Sequence, residues 1–414
     1  MYKRKILVIN HAFGLSGSVI SLGYMVRAFK KHDFQVFIVQ KNSDAGANFL
    51  YECGAEVIAT GISIGLSLSA ATEENLLNPF GFAKFMKNFI KIPLGMLITM
   101  KYILKLKPSI LYLNEFVLIQ CSIIGKLLHI PTIMHVRGPL LDGTFGLRNI
   151  LLRKSILFFN NKIIAITKTD SIQLFSKTQS VSFNEEQTFK NVTYIYEFIN
   201  DSSKKKYTNS FKQQFNISAN KKIIIMLGGV SEIKGTYEFI KAAKEVIKVT
   251  PHSYFIIAGK CAKIFLNKKD IKLNKIKNEY ENRIFNFVNE NNLWDYIRFL
   301  SEISDINELM NICDVLIFPS TISHFARPVI EAWSFKKPVI LSETPHALEF
   351  VENGHDGILV SLKNNESLVK AINEILNDDE LANRLGQNGY KKVLSIFNAD
   401  NNLSRIVKIC DSLC

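Results

Sequence analysis

PSTISHFARPVIEAWSFKKPVILSETPHALEFVENGHDGILV, residues 319–360, carries a helix–strand unit that can be read directly from its letters. Pro328 stands just ahead of Val329-Ile330-Glu331-Ala332 and opens a helix there. Lys337-Pro338 ends it, because proline cannot continue a helix. Val339-Ile340-Leu341 is a short continuous apolar run, the pattern of a strand buried on both faces. Gly354 and Gly357 mark a turn before a further strand. The polar loop at the helix entrance leaves backbone N–H groups exposed, which favours an anion such as a diphosphate. Glu331 lies one turn inside the helix, where it can accept hydrogen bonds from a neutral diol such as ribose without facing the phosphates.

The same alternation extends outward in both directions. Ile6-Leu7-Val8-Ile9 is a strand followed by a Gly14/Gly17 loop and a helix around Val19 to Lys31, and Gln35 to Gln40 is the next strand. Further buried strands are expected at Ile110–Leu113, Thr132–Met134 and Ile163–Ile166. A break follows Val192-Thr193-Tyr194-Ile195, and the polar Asn200 to Ser210 stretch reads as a linker. A second series begins at Ile223–Leu227 and continues through Tyr254–Ala258, Ile297–Leu300 and Val315–Phe318. Strands alternating with helices predict an α/β chain with parallel, doubly wound sheets, whose ligands bind at the carboxyl ends of the strands.

Composition agrees with two globular domains. The chain has 414 residues, 47% hydrophobic and 21% charged, too long for one ordinary core. A formal charge of +14 points to an anionic partner: nucleic acid, an anionic membrane surface or a phosphorylated lipid. Lysine dominates the basic residues and no aromatic-interleaved arginine patch or nucleic-acid module stands out, so nucleic acid is discounted. Six scattered cysteines without CxxC or zinc spacing read as reduced cytosolic thiols. MYKRKILVINHAF resembles a signal peptide superficially, but its apolar run is short and reads as the first strand. Between Phe82 and Leu106, Lys84, Lys87, Lys91, Pro93, Lys101 and Lys105 interrupt every apolar run, so no span of about 20 residues exists there. Phe82, Phe85, Phe89 and Ile90 follow helical spacing with lysines between them. That segment either docks on an anionic bilayer or packs its apolar face on the first domain, the second being the simpler expectation.

The 319–360 segment resembles the donor-site signature of retaining glycosyltransferases of family 4. That resemblance implies the GT-B fold: two Rossmann-like domains facing a central cleft. It places residues 1–197 on the acceptor side, completed by a C-terminal helix at about 395–414. Residues 198–215 form the linker and 216–394 the nucleotide-sugar domain. It further implies transfer of a sugar from a nucleotide-diphosphate sugar to a glycan or lipid-diphosphate-linked acceptor. The expected setting is bacterial envelope polysaccharide or lipopolysaccharide synthesis, in the cytoplasm and at the inner face of its membrane. The alternative is a non-catalytic partner subunit of the same fold that binds nucleotide or glycan.

Residue by residue, the resemblance puts the diphosphate on the loop GGVSEIKG, Gly228–Gly235, with Lys234 on the family's lysine position. Gly229 stands where the family usually has an arginine. The family's signature has two glutamates; Glu331 matches the second, associated with ribose, and Ser323 takes the place of the first, associated with the donor sugar. His324, Phe325, Ala326 and Arg327 fill the loop between them, and Arg327 either supplies charge to the phosphates or pairs with a nearby carboxylate. Glu349 falls on another family glutamate, either bracing the loop or touching substrate. Gly14 and Gly17 resemble the glycine loop that approaches the diphosphate. In His135-Val136-Arg137-Gly138, either His135 or Arg137 occupies the place of a functional family histidine. His11 and His346 also fall in expected strand-end loops. No DxD-type metal signature stands at a strand end, Asp142 and Asp305 being isolated. The resemblance implies no metal and no cofactor, with lysine, arginine and helix dipoles handling the diphosphate charge.

Overall fold

The computed structural model describes residues 4–66, 79–140, 147–175, 191–200, 210–215, 217–261, 279–301 and 306–414, with the backbone alone at 79–85, 147–148 and 210. The chain forms two units, Met1–Phe198 with Ala399–Cys414, and Ile199–Asn398. The first is built on seven parallel strands: β1 (Arg4–Ile9), β2 (Phe34–Gln40), β3 (Glu56–Ala59), β4 (Ile110–Leu113), β5 (Thr132–Val136), β6 (Lys162–Ala165) and β7 (Val192–Tyr194). Their order is β3-β2-β1-β4-β5-β6-β7. Successive residues of a strand face opposite sides, and β1 shows the consequence. Ile6 and Val8 enter one core with Leu22 and Phe29, whereas Leu7 and Ile9 enter the other with Leu113 and Ile156. The edge strand β3, only partly buried, escapes sequence reading because its apolar signal is short.

The second unit carries β8 (Lys222–Leu227), β9 (Ser253–Ala258), β10 (Ile297–Leu300), β11 (Val315–Phe318), β12 (Val339–Ser342) and β13 (Ile358–Val360). These pair in parallel in the order β10-β9-β8-β11-β12-β13. In both sheets the order reverses beside the first strand, between β1 and β4 and between β8 and β11. In doubly wound sheets the carboxyl ends of strands at such a reversal form the ligand crevice.

The Arg327–Ser334 helix starts with proline in its first turn and stops before Lys337-Pro338, with Lys336 in the left-handed region at φ 59. Two glycines of the Asp379–Ser395 helix hold it in place. A Cβ on Gly389 would fall 2.1 Å from Trp333 Cδ1, and one on Gly386 would fall 2.0 Å from Lys336 O. Only glycine permits so close a helix approach.

The Pro79–Leu106 helix packs on the first unit as expected, with Met96, Ile98, Met100, Tyr102 and Leu106 against its core, but not through the side that holds Phe89 and Ile90. Its buried side is formed by Asn88, Gly95, Thr99 and Ile103, and Gly95 lies against Gln120. The larger apolar residues Phe89 and Ile90 stay exposed; the side chains of Phe82 and Phe85 lie outside the described residues.

Candidate functional site

In the second unit the loop leaving β8 is shaped by its glycines. Gly228 and Gly229 adopt φ 120 and φ 71, and both N–H groups donate to Ala258 O. A Cβ on Gly229 would lie 2.1 Å from Lys260 O, so this position cannot carry a side chain. In this loop conformation an arginine here would require the Lys260 backbone to shift. Gly235, at φ 78, brings its Cα so near the end of β11 that a Cβ would meet Pro319 O at 1.8 Å. Ser320 Oγ donates to Ile233 O at 2.9 Å and Thr321 N to the same oxygen at 2.9 Å. The loops after β8 and β11 are therefore one tied structure at the reversal point.

Lys234 lies within this structure, its stem folded over Gly228, where a Cβ would fall 2.2 Å from Lys234 Cδ. It makes no hydrogen bond or ion pair among the described residues. Burial lowers its pKa, and the carboxylate of Glu331 acts in the opposite direction. Glu331 Oε1 accepts from Arg327 Nε at 2.9 Å, the two side chains 13% and 11% exposed. A cation in the first turn of a helix is disfavoured by the helix dipole; Glu331, one turn on, offsets that.

The helices around this point differ in how they begin. Those starting after Thr344, Asn364 and Asp378 have a side-chain oxygen on a first-turn N–H. The Thr236–Val249 and Arg327–Ser334 helices, which flank the β8/β11 reversal, start at Gly235 and Ala326 without one, although Tyr280 Oη accepts from Tyr237 N at 3.0 Å. In their first turns Thr236 N donates to Ser231 O and Val329 N to Ala326 O, so it is chiefly the positive end of each dipole that suits an anion.

Other expected donor residues turn inward. Phe325 and Ala326, expected in the donor loop, have buried side chains, and Phe325 packs against Phe350 and Phe397. Ser323 Oγ lies 2.7 Å from His346 Nδ1 and accepts from His346 N at 3.2 Å, bracing the loop against the Pro345–Phe350 helix. His346 is fully buried, not a loop group. His324 Nδ1 sits 3.2 Å from Ser320 Oγ, its ring edge-on to Phe318. Glu349 is half-buried on the helix that carries His346. Glu352, His355 and Asp356 place ligand-type atoms within 4.8 Å of one another, but the buried Asp356 carboxylate is held by Lys392 and acts as a structural ion pair. Asp142 and Asp305 lie outside the described residues.

In the first unit the reversal point gathers a polar cluster that sequence reading mostly missed. Asn114 Nδ2 donates to Asn10 Oδ1 and Asn10 Nδ2 to Gln40 Oε1, each at 3.1 Å. Arg137 Nε donates to Asn114 Oδ1 at 2.8 Å, and Arg137 Nη1 pairs with Glu197 at 3.1 Å, both side chains nearly fully buried. Ser21 Oγ donates to Glu197 Oε2 at 2.9 Å. Glu115 Oε1 accepts from the N–H groups of Phe116 and Arg137. Burial pushes the Glu115 carboxyl up to about 7 against those hydrogen bonds. Burial, then the Arg137 charge, lowers His11 to about 4. The one available signal was a polar residue closing an apolar run, as in Ile9-Asn10 and Leu113-Asn114-Glu115.

His135 corrects its expectation. It lies inside β5 and is 1% exposed, so it does not stand in a strand-end loop. Tyr112 Oη is 2.7 Å from its Nδ1, to which Arg137 Nη2 also donates at 3.3 Å. Two donors on Nδ1 require a neutral ring with its proton on Nε2, and burial holds its pKa well below the usual value. Arg137 emerges at the end of β5 but is committed to Glu197. Gly14, at φ 60, donates to Asp44 Oδ2 at 2.9 Å. Gly17 opens the Gly17–Lys31 helix, whose start also lacks a side-chain cap.

Residues 208–392 match the family profile for glycosyl transferases group 1. The chain is 22% identical over 274 residues to the capsular polysaccharide biosynthesis glycosyltransferase CapM of Staphylococcus aureus, over 64% of this chain and 66% of that protein. It is 30% identical over 117 residues to the N,N'-diacetylbacillosaminyl-diphospho-undecaprenol alpha-1,3-N-acetylgalactosaminyltransferase of Campylobacter jejuni, over 28% of this chain and 30% of that protein. These matches thus span less than two thirds of either relative. Among solved structures, Anabaena HepE in complex with UDP and glucose aligns over 99% of this chain and 100% of its own, with TM-score 0.75 and 17% identity. The chain shares that fold, the GT-B architecture of two Rossmann-like domains.

Proposed function

We propose that this chain, whose residues 208–392 match the profile of glycosyl transferases group 1, moves a sugar from a nucleotide-diphosphate sugar to a glycan or lipid-linked acceptor. Retention at the anomeric carbon and a role in bacterial envelope polysaccharide synthesis, at the inner face of the cytoplasmic membrane, belong to the same reading. The observation that carries it is Lys234, unpaired among the described residues and flanked by two helix starts whose N-cap residues, Gly235 and Ala326, supply no side-chain cap. The names of the relatives, with capsular and undecaprenol-linked products, support it.

Loss of the nucleotide diphosphate develops negative charge on the leaving oxygens, and groups fixed in advance stabilise that charge without reorganising. Lys234 and the positive dipole ends of the Thr236–Val249 and Arg327–Ser334 helices supply this stabilisation. Its lowered pKa marks Lys234 as a partly desolvated cation, which gains most from an anionic partner. Glu331 orients Arg327 and accepts from the ribose hydroxyls. In this reading protein groups take all the diphosphate charge, and activity persists in EDTA.

Ser323, engaged by His346 where the family has a carboxylate, favours one second reading: a subunit of this fold that binds nucleotide without turnover. Calorimetry with UDP, GDP, ADP and CDP tests the site. One nucleotide binds in preference, and Lys234→Ala or Glu331→Ala weakens it about 10- to 100-fold, the range for a charge-assisted hydrogen bond. Absence of binding to all four would sink the donor site. Selective binding with no sugar transfer to lipid-linked acceptors from a bacterial membrane extract would leave the second reading standing.

A further inference from the structure

The Pro79–Leu106 helix is apolar on two sides: Met96, Ile103 and Leu106 pack on the core of the first unit, and a second apolar set faces outward. Met86, Phe89, Ile90, Leu97 and Leu104 are 46%, 56%, 68%, 57% and 59% exposed. Steps of three, four and seven residues share a helix face, so these side chains form one stripe. At 1.5 Å per residue it runs about 27 Å from Met86 to Leu104. Exposed Lys87, Lys101 and Lys105 border it. The helix contains no acidic residue, and neither do the Ile119–Leu127 and Leu147–Phe159 helices packed in succession beside it. Those two helices also expose Leu127, Leu151 and Phe158, and Lys126 Nζ rests 3.3 Å from the centre of the Phe158 ring.

We propose that this face of the first unit lies on the surface of an anionic lipid bilayer. An apolar stripe bordered by lysines matches the boundary between acyl chains and headgroups, with lysine stems reaching up to the phosphates. Negative lipid charge complements a surface of single positive sign. A second copy of the chain would bring the same positive surface to a self-complementary contact, where like charges oppose association. No helix among the described residues is long and apolar enough to cross a membrane, so the stripe rests on the bilayer. The inference stands whether or not the chain transfers a sugar.

Flotation of the full-length protein with lipid vesicles tests it. The wild type floats with vesicles of phosphatidylcholine and phosphatidylglycerol in equal parts, and much less with phosphatidylcholine alone. Phe89→Gln with Leu97→Gln lowers partitioning about 10-fold per site, the order expected for withdrawing a large apolar side chain. Lys101→Gln with Lys105→Gln lowers it about 5-fold per lysine on the mixed vesicles only. Tyr51→Gln, exposed on another helix of the same unit, leaves binding unchanged. Equal flotation on both vesicle types, or undiminished binding by the Phe89/Leu97 variant, overturns the proposal. So does an equal loss in the Tyr51 variant, or a wild-type dimer that the Phe89/Leu97 variant dissolves in place of vesicle binding.

Discussion

Glu115 illustrates what one residue contributes when its setting is assembled from distant parts of the chain. Its carboxyl is desolvated at the end of β4 and held by two backbone N–H groups, and its pKa rises from the ordinary 4.5 to about 7. Between those values the folded protein binds more protons than the unfolded chain, so stability from this group falls as pH rises and is lowest above about 7. His11 acts oppositely, its stability contribution falling as pH drops from 6.5 towards 4. Glu115→Gln removes only the first effect. Thermal melts of variant and wild type from pH 5 to 8 are expected to show the variant gaining relative stability with rising pH, on the order of 1–3 kcal/mol overall. A difference independent of pH would contradict the assignment. Lys234 and Glu331 stood out in the sequence because the resemblance to a known family rests on the local strand–loop–helix segments that hold them. Glu115, Asn114 and Glu197 were not, because their environment comes from strands and loops up to 176 positions away.

At the scale of elements, the β8–helix connection shows that a charge cannot simply be restored by substitution. Gly229 is held in the left-handed region with the Lys260 backbone where a Cβ would be. Gly229→Arg is therefore expected to lower stability by about 1–3 kcal/mol and to weaken nucleotide binding, since the displaced loop carries Lys234. Calorimetric melting and nucleotide titration of the variant check this; tighter binding with unchanged melting would show that the loop yields freely. The sequence marked this glycine pair but could not show what approached it. The Pro79–Leu106 helix was legible as an amphipathic helix with two possible orientations, since periodicity defines a face without saying which way it turns.

For the whole molecule, the path of the chain matters as much as its parts. It passes from the first unit to the second after Phe198 and returns after Asn398, and Ile199 N donates to Phe397 O at 3.0 Å beside both crossings. The Ala399–Asp411 helix then places Ile406, Val407 and Cys410 in the core that holds Ile6 and Phe29, and Asn402 Nδ2 donates to Tyr196 O at 3.0 Å. Removal of residues 399–414 is expected to cost the first unit on the order of 5 kcal/mol, from burial of three apolar side chains, enough to unfold a domain of ordinary stability. Melting of the truncated chain would show loss or early melting of one transition; a profile equal to wild type would overturn this. The sequence by itself determined the α/β class and, apart from the edge strand β3, both strand series, because apolar runs and glycine turns act over a few neighbouring residues. Only the tertiary structure decided that His135 is a buried strand residue, that Ser323 braces His346, that Phe325 is core, and which face of the Pro79–Leu106 helix meets solvent. Each of those depends on what packs against the residue, and contacts between distant segments leave no period or spacing in a single sequence.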